Sequence, residues 1–150
     1  MPKLNVFLDS SVLIAGAISE AGAAHVLFNL GESGDIVLTV CELVIWESER
    51  ALAKKAPGTL NDLRSLIKSA KVRIVENPTK KEVQANLYLI SDPTDVPILL
   101  AAMKAKVDYL ATHNRRHFLD DPNVSERSGI KIGTPGDILA CIRENFQNMG

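Results

Sequence analysis

Cysteine is scarce: Cys41 and Cys141 are the only two in 150 residues. Both lie in apolar stretches, with no CxxC and no ligand spacing between them. That pattern gives no support to a disulfide scaffold or a cysteine zinc site, and the two read as reduced core residues of a cytoplasmic protein. An excess of one charge is also missing. Seventeen Lys and Arg against eighteen Asp and Glu leave −1, so bulk charge recruits neither nucleic acid nor an acidic membrane, and any polyanion must be met by a local patch. No uncharged apolar run approaches the ~18 residues a membrane span needs. Met1-Pro2-Lys3 leads straight into a strand-like segment rather than a signal peptide. There is no glycine-rich Walker loop, internal repeat, low-complexity tract or Pro/Ser-rich linker.

What is present is ordinary globular material, 46% apolar and 23% charged, of a length that predicts one domain over residues 1–150. Lys3–Leu8 (KLNVFL) reads as a buried strand, broken by Asp9-Ser10-Ser11, after which VLIAGAI starts a helix. A second helix is expected over Ala23–Gly31, stopped by Gly31 and Gly34, and a second strand over Asp35–Val40. Helices follow over Glu42–Ala56 and Leu60–Ala70, then a strand at Lys71–Val75 and a helix over Thr79–Ile90. A helix from Asp95 to Lys106 leads to a strand at Asp108–Ala111 and a long polar loop at Asp120–Ser128. Ile130–Ile132 is a short fifth strand and Pro135–Phe146 a closing helix. Strands separated by helices require crossovers, hence a mostly parallel sheet covered on both faces.

The carboxylates fall at telling places. Asp9 follows the first strand, where open parallel sheets bind ligands, although Asp, Ser and Ser are also good helix caps. On the helix from Glu42, Glu47 shares an arc with Leu43, Val44 and Ala51, while Glu42 and Glu49 face solvent. An inward carboxylate needs a partner: a cation, Arg50, Lys54 or a backbone donor would each serve. Pro97 belongs in a first helical turn, which makes Asp95 a cap or a first-turn acid, and Asp92 a former of the Asp-Pro turn. Asn114 follows the fourth strand as Asp9 follows the first. A right-handed crossover order sets those strand ends side by side, with Glu47 and Asp95 nearby, and such oxygen ligands suit Mg²⁺ or Mn²⁺. Trp46, Tyr88 and Tyr109 read as packing or interface residues, Lys54-Lys55 and Lys80-Lys81 as solvated surface, and His113 and His117 as hydrogen-bonding or packing residues.

FLDSSVLIAG, Glu47 within VIWESERAL, SDPTDVPILLAA, DYLATHNRRHF and the closing GIKIGTPGDIL, taken in order over nearly the whole chain, resemble the PIN-domain ribonucleases. The branch they look most like is the toxin component of bacterial toxin–antitoxin pairs, the VapC-like branch. The resemblance implies a three-layer α/β/α sandwich around a central, mostly parallel sheet of four or five strands. It also implies an Mg²⁺- or Mn²⁺-dependent endoribonuclease. By position, Asp9, Glu47 and Asp95 match the metal carboxylates, and Asn114 stands where the family usually has Asp in a T-x-D context. Ser10, Ser11 and Thr112 are the neighbouring hydroxyls and Arg115 and Arg116 the nearest cations, all expected on the substrate side. RNA, an antitoxin protein and a second copy of the chain are the implied partners. The neutral Asn114 keeps open a different class, a catalytically weak module that binds RNA or a protein. A phospho-receiver lacks its adjacent acidic pair here, and a haloacid-type phosphatase lacks DxD.

Overall fold

The computed structural model describes residues 3–149. Its centre is β1 (Asn5–Leu8), whose Val6, Phe7 and Leu8 are completely buried. A strand apolar on both faces has to lie inside a sheet that is itself covered on both faces. β1 pairs in parallel with β2 (Val37–Cys41) on one side and with β4 (Tyr109–Ala111) on the other. β3 (Arg73–Val75) and β5 (Lys131–Gly133) extend the two edges, giving the all-parallel order β3-β2-β1-β4-β5. Chain order therefore reverses between β1 and β4, and the carboxyl ends of those two strands form the crevice of the sheet. Both edge strands are three residues long and carry a cation, Arg73 or Lys131, which discourages further pairing.

One helical layer holds α1 (Ser10–Ile18), α2 (Ala23–Ser33), α3 (Glu42–Lys55), α4 (Leu60–Ser69) and α8 (Pro135–Met149). In it α1 packs on α2, α3 and α4, and α2 packs on α8. The opposite layer is built on α6 (Val96–Lys104), which packs on β2 with α5 (Lys80–Ala85) and α7 (Asn123–Ser128) beside it. The result is a three-layer α/β/α fold. Among the described residues no single helix is long and apolar enough to cross a membrane. Both cysteines are free; Cys41 is buried, and burial pushes its thiol up.

Three expected elements differ. The second helix runs past Gly31 to Ser33 and ends at Gly34, whose φ of +83° closes it in the left-handed region. Gly31 instead lets the helix approach Leu38 and the Ala70 carbonyl. The helix expected over Thr79–Ile90 stops at Ala85. It starts on a Thr79/Glu82 capping box, but Asn86 Nδ2 donates to the Glu82 carbonyl at 2.7 Å and the chain turns away through Leu87–Leu89. The polar stretch at Asp120–Ser128 contains α7, whose start is held by Asp121 Oδ1 accepting from the Asn123 N–H at 3.0 Å. Its one large buried apolar residue, Val124, gives no period to read.

Gly16 sets the seat of α1 against α2. A Cβ there would lie 2.4 Å from Phe28 Cε2, a ring buried in the core. Gly16→Ala is therefore expected to destabilise the protein by about 1–3 kcal/mol, read as a lower denaturant midpoint with unchanged slope. A neutral or raised midpoint would show that the ring shifts freely.

Candidate metal centre

Asp9 occupies the cap position of α1, yet its side chain caps nothing. Its backbone N–H continues the β1–β4 ladder by donating to the Ala111 carbonyl at 3.0 Å. Its carboxylate, on a residue only 5% exposed, accepts instead from two hydroxyls at Oδ2: Thr112 Oγ1 at 2.8 Å and Ser11 Oγ at 3.0 Å. Each hydroxyl is oriented by a further donor. The Asn114 N–H donates to Thr112 Oγ1 and the His113 N–H to Ser11 Oγ, both at 3.0 Å. Hydrogen bonds of this kind stabilise the ionised carboxylate and leave its other oxygen for something else.

Glu47 arrives from α3, one residue along the helix from the wholly buried Ser48. Burial, then the charges of Asp9 and of Asp95, push its carboxyl up. Its Oε1 is buried without a hydrogen-bond partner among the described residues, so neither Arg50 nor Lys54 nor a backbone donor meets the need read from the sequence. Glu49 instead pairs with Arg64 at 2.9 Å, and Glu42 is exposed.

Asp95 caps α6 in position but not with its side chain, and it is 8% exposed. Burial raises its carboxyl, with the charges of Asp92 and Asp9 adding and His117 opposing, to about 6. His117 Nδ1 stands 2.7 Å from Asp95 Oδ2, a close contact that opposes the rise of the Asp95 carboxyl. The other ring nitrogen lies 3.4 Å from Asp92 Oδ2. Asp92, Asp95 and His117 each bring one donor atom to a group within 4.8 Å. The sequence reading treated Asp92 as a turn former, and its Oδ1 does accept from the Thr94 N–H and hydroxyl at 2.9 and 2.7 Å. Its second oxygen faces the centre, and neither it nor the His117 ring was expected there. The available signal was the spacing of Asn114 and His117: Asn114 Oδ1 accepts from the His117 N–H at 3.1 Å and starts a π-helical turn over Arg115–Leu119. Such turns recur at functional sites.

The remaining expected residues are placed as follows. Thr112 is completely buried, which puts it behind Asp9 and not on a face a substrate can reach. Ser11 is half-buried with its hydroxyl on Asp9, and Ser10 is half-buried at the first position of α1. Arg115 and Arg116 are exposed on the π-helical turn, Arg115 sensed by Asp137 and Arg116 by Asp92. Asp121 faces Arg127 at 3.5 Å. Trp46, expected to pack or to lie at an interface, is 56% exposed with the Arg50 guanidinium 5.0 Å from its ring centroid.

A hard divalent cation fits this donor set. Three carboxylates come together from three elements, two of them pushed up by burial and then by neighbouring carboxylates, Asp9 and Asp95 on Glu47 and Asp92 and Asp9 on Asp95. Glu47 Oε1 is a buried acceptor without a hydrogen bond among the described residues, and such an atom calls for an ion or water. Asp9, Glu47 and Asp95 could hold a divalent cation through oxygen.

The same repulsion fixes a pH dependence. Asp95 titrates near 3.8 unperturbed and at about 6 in the fold, so between those values the native state binds more protons than the unfolded chain. Stability of the metal-free protein therefore falls as pH rises from about 4 through about 6. Denaturant midpoints in chelator should drop across that window, and a divalent cation should flatten the drop. Glu47→Gln should raise the metal-free denaturant midpoint at neutral pH while weakening cation binding. A midpoint that climbs with pH would contradict the assignment.

Comparison with known proteins agrees with this geometry. The crystal structure of PAE2754 from Pyrobaculum aerophilum superposes with a TM-score of 0.63 at 18% identity, covering 94% of this chain and 90% of that one; at that identity the likeness is one of fold. No curated protein gives a match. The PIN domain family model matches residues 5–116, a span that holds Asp9, Glu47, Asp95 and Asn114, and the chain belongs to the PIN domain family.

Proposed function

We propose that the protein is a metal-dependent endoribonuclease acting as the toxin of a toxin–antitoxin pair. The observation that carries this reading is the grouping of Asp9, Glu47 and Asp95, in which Asp9 and Asp95 push the Glu47 carboxyl up and Glu47 Oε1 is buried without a hydrogen-bond partner among the described residues. A bound Mg²⁺ or Mn²⁺ supplies an activated water and neutralises charge at the scissile phosphate. The chain's own residues do the rest. Thr112 and Ser11 fix Asp9 so that its free oxygen keeps one direction. Glu47, its carboxyl pushed up by burial and then by its acidic neighbours, is placed to take a proton as a base. Exposed Arg115 and Arg116 on the turn after β4 meet the phosphate backbone of RNA. The antitoxin is a protein whose segment covers this acidic crevice, and a second copy of the chain completes the assembly.

Asn114 favours a second reading, a module that binds RNA or a protein without cutting. Its Oδ1 is committed to the His117 N–H, so it brings no charge to the centre.

Cleavage of a mixed panel of structured and single-stranded RNAs with Mn²⁺ or Mg²⁺ decides between the two. Chelator and Asp9→Asn should each abolish cleavage, with Asp9→Asn costing ~100-fold or more. Thr112→Val, which removes the hydroxyl behind Asp9, should weaken metal affinity by ~10–100-fold. Asn114→Asp keeps the cap and should lower the metal concentration needed. RNA bound but uncut at every metal concentration, with Asn114→Asp active, would establish the module; cleavage that survives chelator would remove the metal reading.

A further inference from the structure

Trp46 is the only tryptophan of the chain, and nothing in the nuclease reading uses it. It stands on α3 one residue before Glu47, largely exposed, with Arg50 one turn on and laid over its ring. The pair forms a ridge between two hollows. One, of about 360 Å³, runs from Glu47 past Ala51 to Lys54 and Lys55. The other, of about 380 Å³, is bounded by the Glu49–Arg64 ion pair and Leu60. The cations differ in their partners. Arg64 is engaged by Glu49, whereas Arg50, Lys54 and Lys55 form no ion pair among the described residues. An exposed aromatic plane, an arginine plane stacked on it and two unpaired lysines thus follow one another along a single helix. They begin at a carboxylate of the metal centre and extend about 12 Å at ~1.5 Å per residue.

The geometry points to this face as a binding site for single-stranded nucleic acid: a base stacks on the Trp46–Arg50 ridge, and the phosphates beside it lie against Lys54 and Lys55. Bases stack on indole and guanidinium planes whatever their identity, and a strand running off a nuclease centre needs cations along its backbone. A helix C-terminus favours Lys54 and Lys55 without any ligand, but that explanation leaves Trp46 exposed for no reason. The proposal rests on the nuclease reading for its substrate class and extends it to where the strand lies.

The sole tryptophan reports on its own site. Chelator-treated protein, which cannot cut, is titrated with short oligouridine, with oligothymidine and with an abasic sugar-phosphate strand, and Trp46 emission is followed. Quenching by the base-bearing strands and none by the abasic one is the expected result; the RNA and DNA arms show whether the 2′-hydroxyl contributes. By anisotropy of a labelled strand, Trp46→Leu should bind roughly tenfold more weakly. Replacing Lys54 and Lys55 together with Ala should reduce the log–log salt slope by about 1.4, from ~0.7 per phosphate contact. Emission unchanged by every strand, or altered only by raising the protein concentration, overturns the site and leaves metal-dependent cleavage standing. Quenching in a protein that never cuts RNA upholds the site and removes the nuclease reading.

Discussion

The parallel pairing of β1 with β4 is the constraint on which the centre depends. Leu8 stands opposite Ala111 in that ladder, so the residues that follow each strand, Asp9 and Thr112, meet at 2.8 Å. They are 103 positions apart in sequence. From this contact hydrogen bonds run outward through the Asn114 N–H to Thr112 and through the His117 N–H to Asn114, and the His117 ring then abuts Asp95. A turn stapled at one end by a strand pair and at the other by a carboxylate has little freedom. The position of Asp95 relative to Asp9 is thereby set by backbone pairing and not by the flexible side chains themselves.

Against that rigid frame the charges are in conflict. Burial and neighbouring carboxylates raise both Glu47 and Asp95, the first facing Asp9 and Asp95 and the second Asp92 and Asp9, and Glu47 Oε1 is buried without a donor among the described residues. A protein selected only for stability would place a lysine or an amide there. Retaining the strain keeps the site ready for a cation, the usual exchange of stability for function at active sites. The His117 ring sits to one side of Asp95 and reaches towards Asp92 as well, so it moderates the conflict at Asp95 without resolving it.

Much of this was legible from residues alone. Glu47 stood out because it lies on the apolar arc of a helix; Asp9 and Asp95 each had a ready reading as a helix cap, and they were singled out by their places after a buried strand and ahead of a Pro-started helix together with the resemblance to the PIN-domain ribonucleases. The structure sharpened the case for Asp9 and Asp95, since both occupy cap positions that their side chains decline to use. Asp92 and His117 were not legible as part of the centre. Asp92 satisfies the Thr94 turn with one oxygen and the centre with the other, and a local role hides a distant one. His117 lies on a π-helical turn, whose period matches neither helix nor strand. α5 and α7 were misjudged for related reasons: the first is cut short by a side chain competing for its backbone, the second has too few apolar residues to show a face.

Asn114 bears on how much negative charge the centre holds. At a cap position Asn and Asp serve equally well, so folding does not explain the amide; the difference between them is one charge. Counting only Asp9, Glu47 and Asp95, the centre falls one carboxylate short of a four-acid set. Asp92 changes that count. It lies on the far side of Asp95, close enough that its charge raises the Asp95 carboxyl and that Asp92, Asp95 and His117 share a space under 4.8 Å across. The hydrogen bonds from Thr94 hold Asp92 below the usual carboxylate range and so ionised. A fourth negative charge is therefore present beside Asp95, displaced from the β4 turn to the start of α6. A divalent cation held by the acids of the crevice would feel Asp92 through Asp95, whereas the neutral Asn114 would offer a second ion at the end of β4 no anion to offset metal–metal repulsion.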